Sequence, residues 1–87
     1  MTAMNVELDG DNQTARITLS GYTVYAHVMP QGDNFEVQLD DHLTGNKTTV
    51  TTATTLQGAV GLAVEALKEQ ASSDGVDTSG LDVSFGG

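Results

Sequence analysis

The stretch YTVYAHVMPQGDNFEVQLD, residues 22–40, decides the fold of this chain. Apolar or aromatic residues stand at every second position of each half: Tyr22, Val24, Ala26 and Val28, then Phe35, Val37 and Leu39. This alternation is typical of strands with one buried face. Between the halves, Pro30-Gln31-Gly32-Asp33 favours a turn, because Pro30 has a fixed φ and Gly32 tolerates a positive one. The pattern predicts an antiparallel hairpin with strands at about 22–29 and 34–40.

Two more strands are predicted upstream, at about 4–9 and 14–19. They alternate in the same way, through Met4, Val6 and Leu8 and then Ala15, Ile17 and Leu19. Asp9-Gly10-Asp11-Asn12 between them is rich in turn residues. The apolar positions change from odd to even numbers across Ser20-Gly21, which predicts a tight turn there, since a one-residue slip reverses every side chain.

Downstream, KTTVTTA at 47–53 is rich in β-branched residues and predicts a fifth strand. It has few apolar groups, so we expect it at or near a sheet edge. A helix is predicted at about 55–72, because Leu56, Val60, Ala63 and Leu67 recur at helical spacing, with Val64 and Ala71 beside them. Thr54 with Gln57 matches a capping box, and Thr55 is the competing N-cap. Gly75 supplies the left-handed geometry that ends a helix, and a tail strand is predicted at about 81–85.

Together these elements predict one small α+β domain over residues 1–87. Its antiparallel sheet of four to five strands packs against one long amphipathic helix, with a short C-terminal strand as a further element. At 87 residues the chain is too short for two cores.

Two glycines inside the predicted helix stand out, because each costs about 1 kcal/mol against alanine. Gly58 and Gly61 therefore suggest that another backbone approaches closely. Leu62 points away from the apolar stripe and lies beside Gly58, which makes this side of the helix a candidate contact site. The alternative is that the tail strand folds back and covers Leu62.

The formal net charge is -9, with only Arg16, Lys47 and Lys68 positive. Such a surface repels nucleic acid, whose binding requires positive charge. It suits a protein partner with a basic surface, including the groove of a nucleic-acid-binding protein. Solubility in a salty cytoplasm is the competing explanation.

The sequence predicts no catalytic, cofactor or metal site. There are no cysteines, which excludes disulfides and thiolate sites. Asp40-Asp41-His42 is the one compact set of metal-type ligands; in an extended chain Asp40 and His42 share a side and Asp41 points the other way. Two ligands do not fix a metal, and His27 stands alone in its strand. No phosphate-binding loop or catalytic triad appears, so we expect a protein that is not an enzyme.

Neither a membrane helix nor a signal peptide is apparent in the sequence. We therefore expect a cytoplasmic protein of a prokaryotic host or a halophile.

From Tyr22 to Gln70, the order of three strands and a helix resembles the βββα unit of HicB-type antitoxins. The helix carries the likeness through Thr55, Leu56, Ala59, Ala63, Ala66 and Leu67. It covers about half of the chain and implies an architecture without transferring any functional residue.

The C-terminus, a strand-like segment followed by Gly86-Gly87, resembles that of ubiquitin-like modifiers and sulfur carriers. That likeness implies an activated C-terminal carboxylate. Those carriers place their helix after a first hairpin, whereas the helix predicted here follows five strands.

Our functional hypothesis is a small acidic binding protein that inhibits a nucleic-acid-handling protein by occupying its basic surface, as phage anti-CRISPR and anti-restriction proteins and other DNA mimics do. One alternative is an oligomeric structural or viral assembly protein joined through the threonine-rich strand; another is the modifier. The candidate partner-binding residues are Gly58, Leu62, Glu65, Glu69, Glu36, Asp40, Asp41 and Phe85.

Overall fold

Five consecutive strands form an antiparallel sheet, and one helix lies across a face of it. The computed structural model describes residues 3–9, 13–78 and 82–86, with only the backbone of Asp9 and of 82–86. The elements are β1 (Ala3–Asp9), β2 (Thr14–Leu19), β3 (Val24–Gln31), β4 (Asn34–Asp41), β5 (Lys47–Ala53), α1 (Leu56–Ser73) and β6 (Asp82–Gly86). The predicted α+β fold is confirmed.

The strands lie in the order β5-β4-β3-β2-β1-β6. Each of β1 to β4 pairs antiparallel with the next strand of the chain. β5 is at one edge of the sheet, as predicted, and β6 runs parallel to β1 at the opposite edge. The backbone of β6 therefore lies far from the β5 side of the sheet. The side chain of Phe85 lies outside the described residues.

One face of the sheet is buried under α1 because the register keeps the apolar residues of all strands together. Val6 pairs with Ile17, and Ile17 pairs with Ala26. The fully buried side chains of greatest volume are Met4, Ile17, Leu67, Val6, Val28 and Val37. Burial of this continuous apolar surface is the main stabilising contribution.

α1 buries Ala59, Val60, Ala63, Leu67 and Ala71 against that face. Three of these five are alanines, which allow a close approach of helix and sheet. The helix ends as predicted, with Gly75 at a φ of 86°. Val76 N–H donates to the Ala71 carbonyl at 2.9 Å and Gly75 N–H to that of Ser72 at 3.1 Å, which is the Schellman arrangement.

The start of α1 corrects the predicted capping box. Thr55 is the N-cap, and its Oγ1 accepts a hydrogen bond from Gly58 N–H at 3.0 Å. Thr54 lies one residue too early. The third residue of the helix is consequently Gly58, which has no side chain to complete a reciprocal box.

The predicted turn at Pro30 is also displaced. β3 continues to Gln31, and only Gly32 and Asp33 form the turn, so Pro30 pairs with Phe35 inside the hairpin. The pairing of β2 with β3 extends only to Val28. Pro30 thus lies beyond the β2 ladder, where its missing N–H breaks no hydrogen bond.

The tight turn predicted at Ser20-Gly21 is confirmed, because Gly21 has a φ of 75° and Tyr22 N–H donates to the Leu19 carbonyl at 3.1 Å. β3 begins only at Val24, so Tyr22 lies outside the strand. In the part of the chain that the structure describes, no helix has the length and apolar character needed to cross a membrane.

Candidate functional site

Four carboxylates lie at one end of the molecule, where β4 and α1 end and β5 begins. They belong to Asp40, Asp41, Glu69 and Asp74, and we call this region the acidic end. Gln70 lies between two of these acids. It lines one cavity together with Asp41, and its Nε2 donates a hydrogen bond to Asp74 Oδ2 at 3.4 Å. Among the described residues, none of the four carboxylates forms an ion pair with a lysine or arginine.

Tyr22 contacts the acidic end through Asp74. Its hydroxyl donates a hydrogen bond to Oδ2 of Asp74, which connects the β2–β3 turn to the end of α1. Burial raises the pKa of Tyr22 to about 12, and the hydrogen bond and the negative charge of Asp74 add to the effect. Asp41 also raises the pKa of Tyr22 through its charge, so both carboxylates act on the same hydroxyl.

The C-terminus of α1 adds negative potential to these side chains. The last carbonyl groups of a helix carry a partial negative charge, which basic residues often offset. The last turn of α1 has no basic residue, and Asp74 is the C-cap. An acid at this position is unfavourable for the helix itself, so the arrangement favours contact with a positive group from outside.

A groove runs between α1 and the edge strand β5, and we call it the α1–β5 groove. It consists of two adjoining cavities of about 340 and 240 Å³ that share Leu39, Thr48 and Gln70. Val50 and Ala66 add apolar surface to the larger cavity, and Val24 adds it to the smaller one. Glu69 lies at the first cavity and Asp41 at the second. The groove therefore combines apolar side chains with two acidic groups.

Val50 owes its exposed position to an irregularity in β5. The pairing of β4 with β5 shifts register between Val37 and Gln38, where Val37 pairs with Thr51 and Gln38 with Thr49. Val50 is left without a partner and is 45% exposed. Such a bulge bends an edge strand and hinders its pairing with a further strand.

Asp40 lies on the opposite face of the sheet, which α1 does not cover. Its side chain is only 6% exposed. Asp40 pairs across the strands with Tyr25. Burial and a hydrogen bond to Asp40 raise the pKa of Tyr25. The other oxygen, Oδ1, has no hydrogen-bond partner among the described residues.

Aromatic rings lie next to this buried carboxylate. The ring centroids of Tyr25 and His42 are 4.6 Å apart with an interplanar angle of 33°, and the guanidinium carbon of Arg16 is 5.5 Å from the Tyr25 centroid. Tyr25, Asp40, Asp41 and His42 line a common cleft of about 150 Å³. Asp40 and His42, predicted to share a side of the chain, both line this cleft. Asp41, predicted to point the other way, lines the cavity beside Gln70 on the α1 side as well as this cleft, and its charge acts on Tyr22.

Glu36 lies on the same open face but is already well bonded. Its Oε1 accepts hydrogen bonds from Thr49 Oγ1 at 2.6 Å and from Gln38 Nε2 at 3.0 Å. The hydrogen bond from Thr49, with a smaller contribution from Gln38, lowers the pKa of Glu36. Glu36 therefore contributes a negative charge that already accepts two hydrogen bonds, whereas Oδ1 of Asp40 accepts none among the described residues.

The predicted partner-binding residues lie on two surfaces. Gly58, Leu62, Glu65 and Glu69 are all exposed along one side of α1, whereas Glu36 and Asp40 are on the open face of the sheet. Asp41 lies between the two surfaces and lines a cavity on each side. Phe85 cannot be assigned to either, since its side chain lies outside the described residues. Leu62 is 42% exposed; the side chains of the tail that were expected to cover it lie outside the described residues.

The structure explains Gly58 by the helix cap. A Cβ at this position would lie 3.0 Å from Thr55 Oγ1 and 3.7 Å from the Cβ of Ala53. No described residue lies within 4 Å of a Cβ at Gly61, so the close approach predicted there does not occur within the described part of the chain.

No local sequence pattern indicates the roles of Tyr22 and Tyr25, because the hydrogen bonds of both depend on contacts between separate elements. No group of three or more histidine, cysteine, aspartate or glutamate side chains suited to a metal ion occurs in the part of the chain described. Asp40, Asp41 and His42 share a cleft without forming such a set.

Comparison with known proteins finds no match: no protein-family model, no curated protein and no solved structure matches this chain.

Proposed function

We propose that this chain is a non-enzymatic binding protein that inhibits a nucleic-acid-handling protein by occupying its basic surface. The observation that carries the proposal is the acidic end: four carboxylates that form no ion pair with a lysine or arginine among the described residues, beside a helix whose last turn has no basic residue. Groups of like charge repel one another and are costly for the isolated protein, and a basic partner removes that cost.

The α1–β5 groove supports the proposal because it suits the long basic side chains of a partner. Lysine and arginine have aliphatic stems that pack on apolar surface while their charged ends reach polar groups. Leu39 and Val50 offer such surface, and Glu69 and Asp41 lie at the two cavities. The net charge of -9 opposes direct binding to DNA or RNA.

The test is capture of proteins from a host lysate on the immobilised chain, followed by identification and by competition with duplex DNA. We expect a basic nucleic-acid-binding protein that DNA displaces and that elutes as salt is raised. The variant Asp41→Asn/Glu69→Gln should lose it. The control Glu7→Gln/Asp33→Asn makes the same change of charge at exposed residues away from the acidic end and should keep it. Capture that is insensitive to both DNA and salt contradicts the proposal.

A second candidate is an oligomeric structural or viral assembly protein joined through β5. The observation in its favour is that β5 is an edge strand whose residues, KTTVTTA, include no acid. The bulge at Val50 counts against it. Native mass spectrometry distinguishes the two: a discrete homo-oligomer that Thr51→Pro dissociates supports assembly, and a monomer supports the inhibitor.

The modifier hypothesis stays a prediction for the C-terminus. Backbone pairing places Gly86 opposite Glu7 in the sheet, and Gly87 lies outside the described residues. Intact mass after incubation with an activating enzyme and ATP tests the idea directly. The cytoplasmic location of the protein likewise stays a prediction.

A further inference from the structure

We propose that the cleft beside Asp40 binds a single guanidinium group, supplied by an arginine side chain of the partner. This inference rests on the proposed function and names one contact within it. The cleft lies on the open face of the sheet, opposite the α1–β5 groove, and Asp41 lines both.

The carboxylate of Asp40 is incompletely hydrogen-bonded. A carboxylate offers about four acceptor positions, and leaving a buried one unmet is costly. Asp40 is only 6% exposed, and its Oδ1 receives no hydrogen bond from any described residue. Oδ1 is covered by neighbouring atoms, so a donor that enters the cleft lined by Asp40 reaches this oxygen by displacing one of the other lining side chains.

The walls of the cleft select the kind of donor. Tyr25 and His42 form a pair of rings on one side. A guanidinium group is planar, stacks on aromatic faces and bonds a carboxylate through two parallel N–H groups. Arg16, whose guanidinium carbon is 5.5 Å from the Tyr25 centroid, already makes one contact with this ring, which leaves the His42 ring and the rest of the Tyr25 surface to an incoming group.

Other ligands fit the cleft less well. Anions are repelled by Asp40 and Asp41. Asp40, Asp41 and His42 all line the cleft, but no group of three or more histidine, cysteine, aspartate or glutamate side chains within the described residues is arranged to hold a metal ion. The volume of about 150 Å³ is below the range usual for small-molecule pockets, about 300–1,000 Å³, but is sufficient for the end of one side chain.

Lys47 can compete with an incoming guanidinium group for the Asp40 carboxylate. It pairs with Asp40 in the strand register and lines the cleft, yet it is exposed and makes no ion pair with Asp40. An arriving guanidinium group must therefore displace or avoid the Lys47 ammonium group. Lys47→Ala should strengthen arginine binding if the cleft is meant for an outside group, and it should leave Asp40 as the residue that binds it.

The experiment is an NMR titration of the ¹⁵N-labelled full chain with N-acetyl-arginine methylamide, compared with the lysine analogue and with NaCl at equal ionic strength. We expect saturable shifts of the His42, Gly45 and Asn46 amides with the arginine probe, and at least about tenfold weaker binding of the lysine probe, since a fork of two hydrogen bonds is replaced by a point charge. Asp40→Asn should weaken arginine binding by about tenfold or more. Asp33→Asn, the same change in the exposed β3–β4 turn, should not.

The inference is overturned if arginine, lysine and NaCl cause the same shifts, or if Asp40→Asn binds arginine like the parent chain. A spectrum of Asp40→Asn with the parent's dispersion shows that the variant is folded, and the comparison of the arginine and lysine probes on the parent chain tests the cleft without any substitution. If Asp40→Asn retains full affinity for the captured basic protein, the cleft proposal fails while the proposed function stands. If arginine binds but no basic protein is captured, the cleft still binds a guanidinium group while the proposed function fails.

Discussion

The hydroxyl of Tyr22 donates a hydrogen bond to Oδ2 of Asp74, which lies 52 residues further along the chain. This contact connects the turn before β3 to the C-cap of α1. It keeps a carboxylate at the negative end of a helix, where the helix itself does not favour one. The position of Asp74 is thus fixed by tertiary structure.

Tyr22→Phe should lower the free energy of unfolding by about 1 kcal/mol at pH 7. A hydrogen bond to a charged group contributes about 1.5–3 kcal/mol when shielded, and the exposure of this one reduces the effect. Urea unfolding monitored by circular dichroism measures the change. Thr18→Val, a loss of a hydroxyl at an exposed β2 position, is the control and should alter stability by less than about 0.5 kcal/mol.

Stability should fall as the pH rises from 10 towards 12. The pKa of Tyr22 is about 12 in the folded chain, against 10.0 for an ordinary tyrosine. The unfolded chain therefore loses this proton at a lower pH than the folded chain, and its deprotonation favours unfolding. The contribution is fully present below pH 10 and is lost through that window. Urea unfolding between pH 8 and 12 measures the decline, and Tyr22→Phe should make it shallower. The decline that remains comes in part from Tyr25, whose pKa is also raised. An unchanged slope in Tyr22→Phe contradicts the assignment.

Gly61→Ala should stabilise the chain by about 0.5–1 kcal/mol, because alanine is the better helix former and nothing lies within 4 Å of the added Cβ. Gly58→Ala should gain less or lose stability, since its Cβ meets Thr55 Oγ1 at 3.0 Å. Thermal unfolding of both variants gives the comparison. Equal gains at both positions would mean that the cap tolerates a side chain.

Thr55→Ala should cost about 1 kcal/mol, the usual loss when an N-cap hydroxyl is removed. Thr54→Ala, at the position where the sequence pattern also permits a cap, should change stability by less than about 0.5 kcal/mol. Chemical unfolding of the pair measures both. A larger loss from Thr54→Ala would restore the capping box and contradict the observed bond from Gly58 N–H to Thr55 Oγ1.

The strands and the helix could be predicted because their signals are local. Alternation placed β2 at 14–19, β-branched content placed β5 at 47–53, and helical spacing identified the buried stripe through Val60, Ala63 and Leu67. The boundary at Pro30 was wrong because proline suggests a turn, and the neighbouring β2 ends too early to require its N–H.

The candidate site could be predicted only in part. The alternation of β4 put Asp40 on the face opposite Val37 and Leu39, and the pairing confirms it. Its burial depends on a tertiary arrangement in which Tyr25 pairs with it across the strands and His42 stacks on that ring. No local pattern reports such contacts, and the same is true of the bond between Tyr22 and Asp74.

The most direct test of the account is the salt dependence of the affinity between the chain and a basic protein that it captures. Calorimetric titration across a range of salt concentrations should show affinity falling steeply as salt rises, because exposed charges are screened. Asp41→Asn/Glu69→Gln should bind at least about tenfold more weakly, with a shallower salt slope, and Glu7→Gln/Asp33→Asn should bind like the parent chain. Equal affinity and equal salt slope in all three proteins would contradict the claim that the acidic end binds the partner.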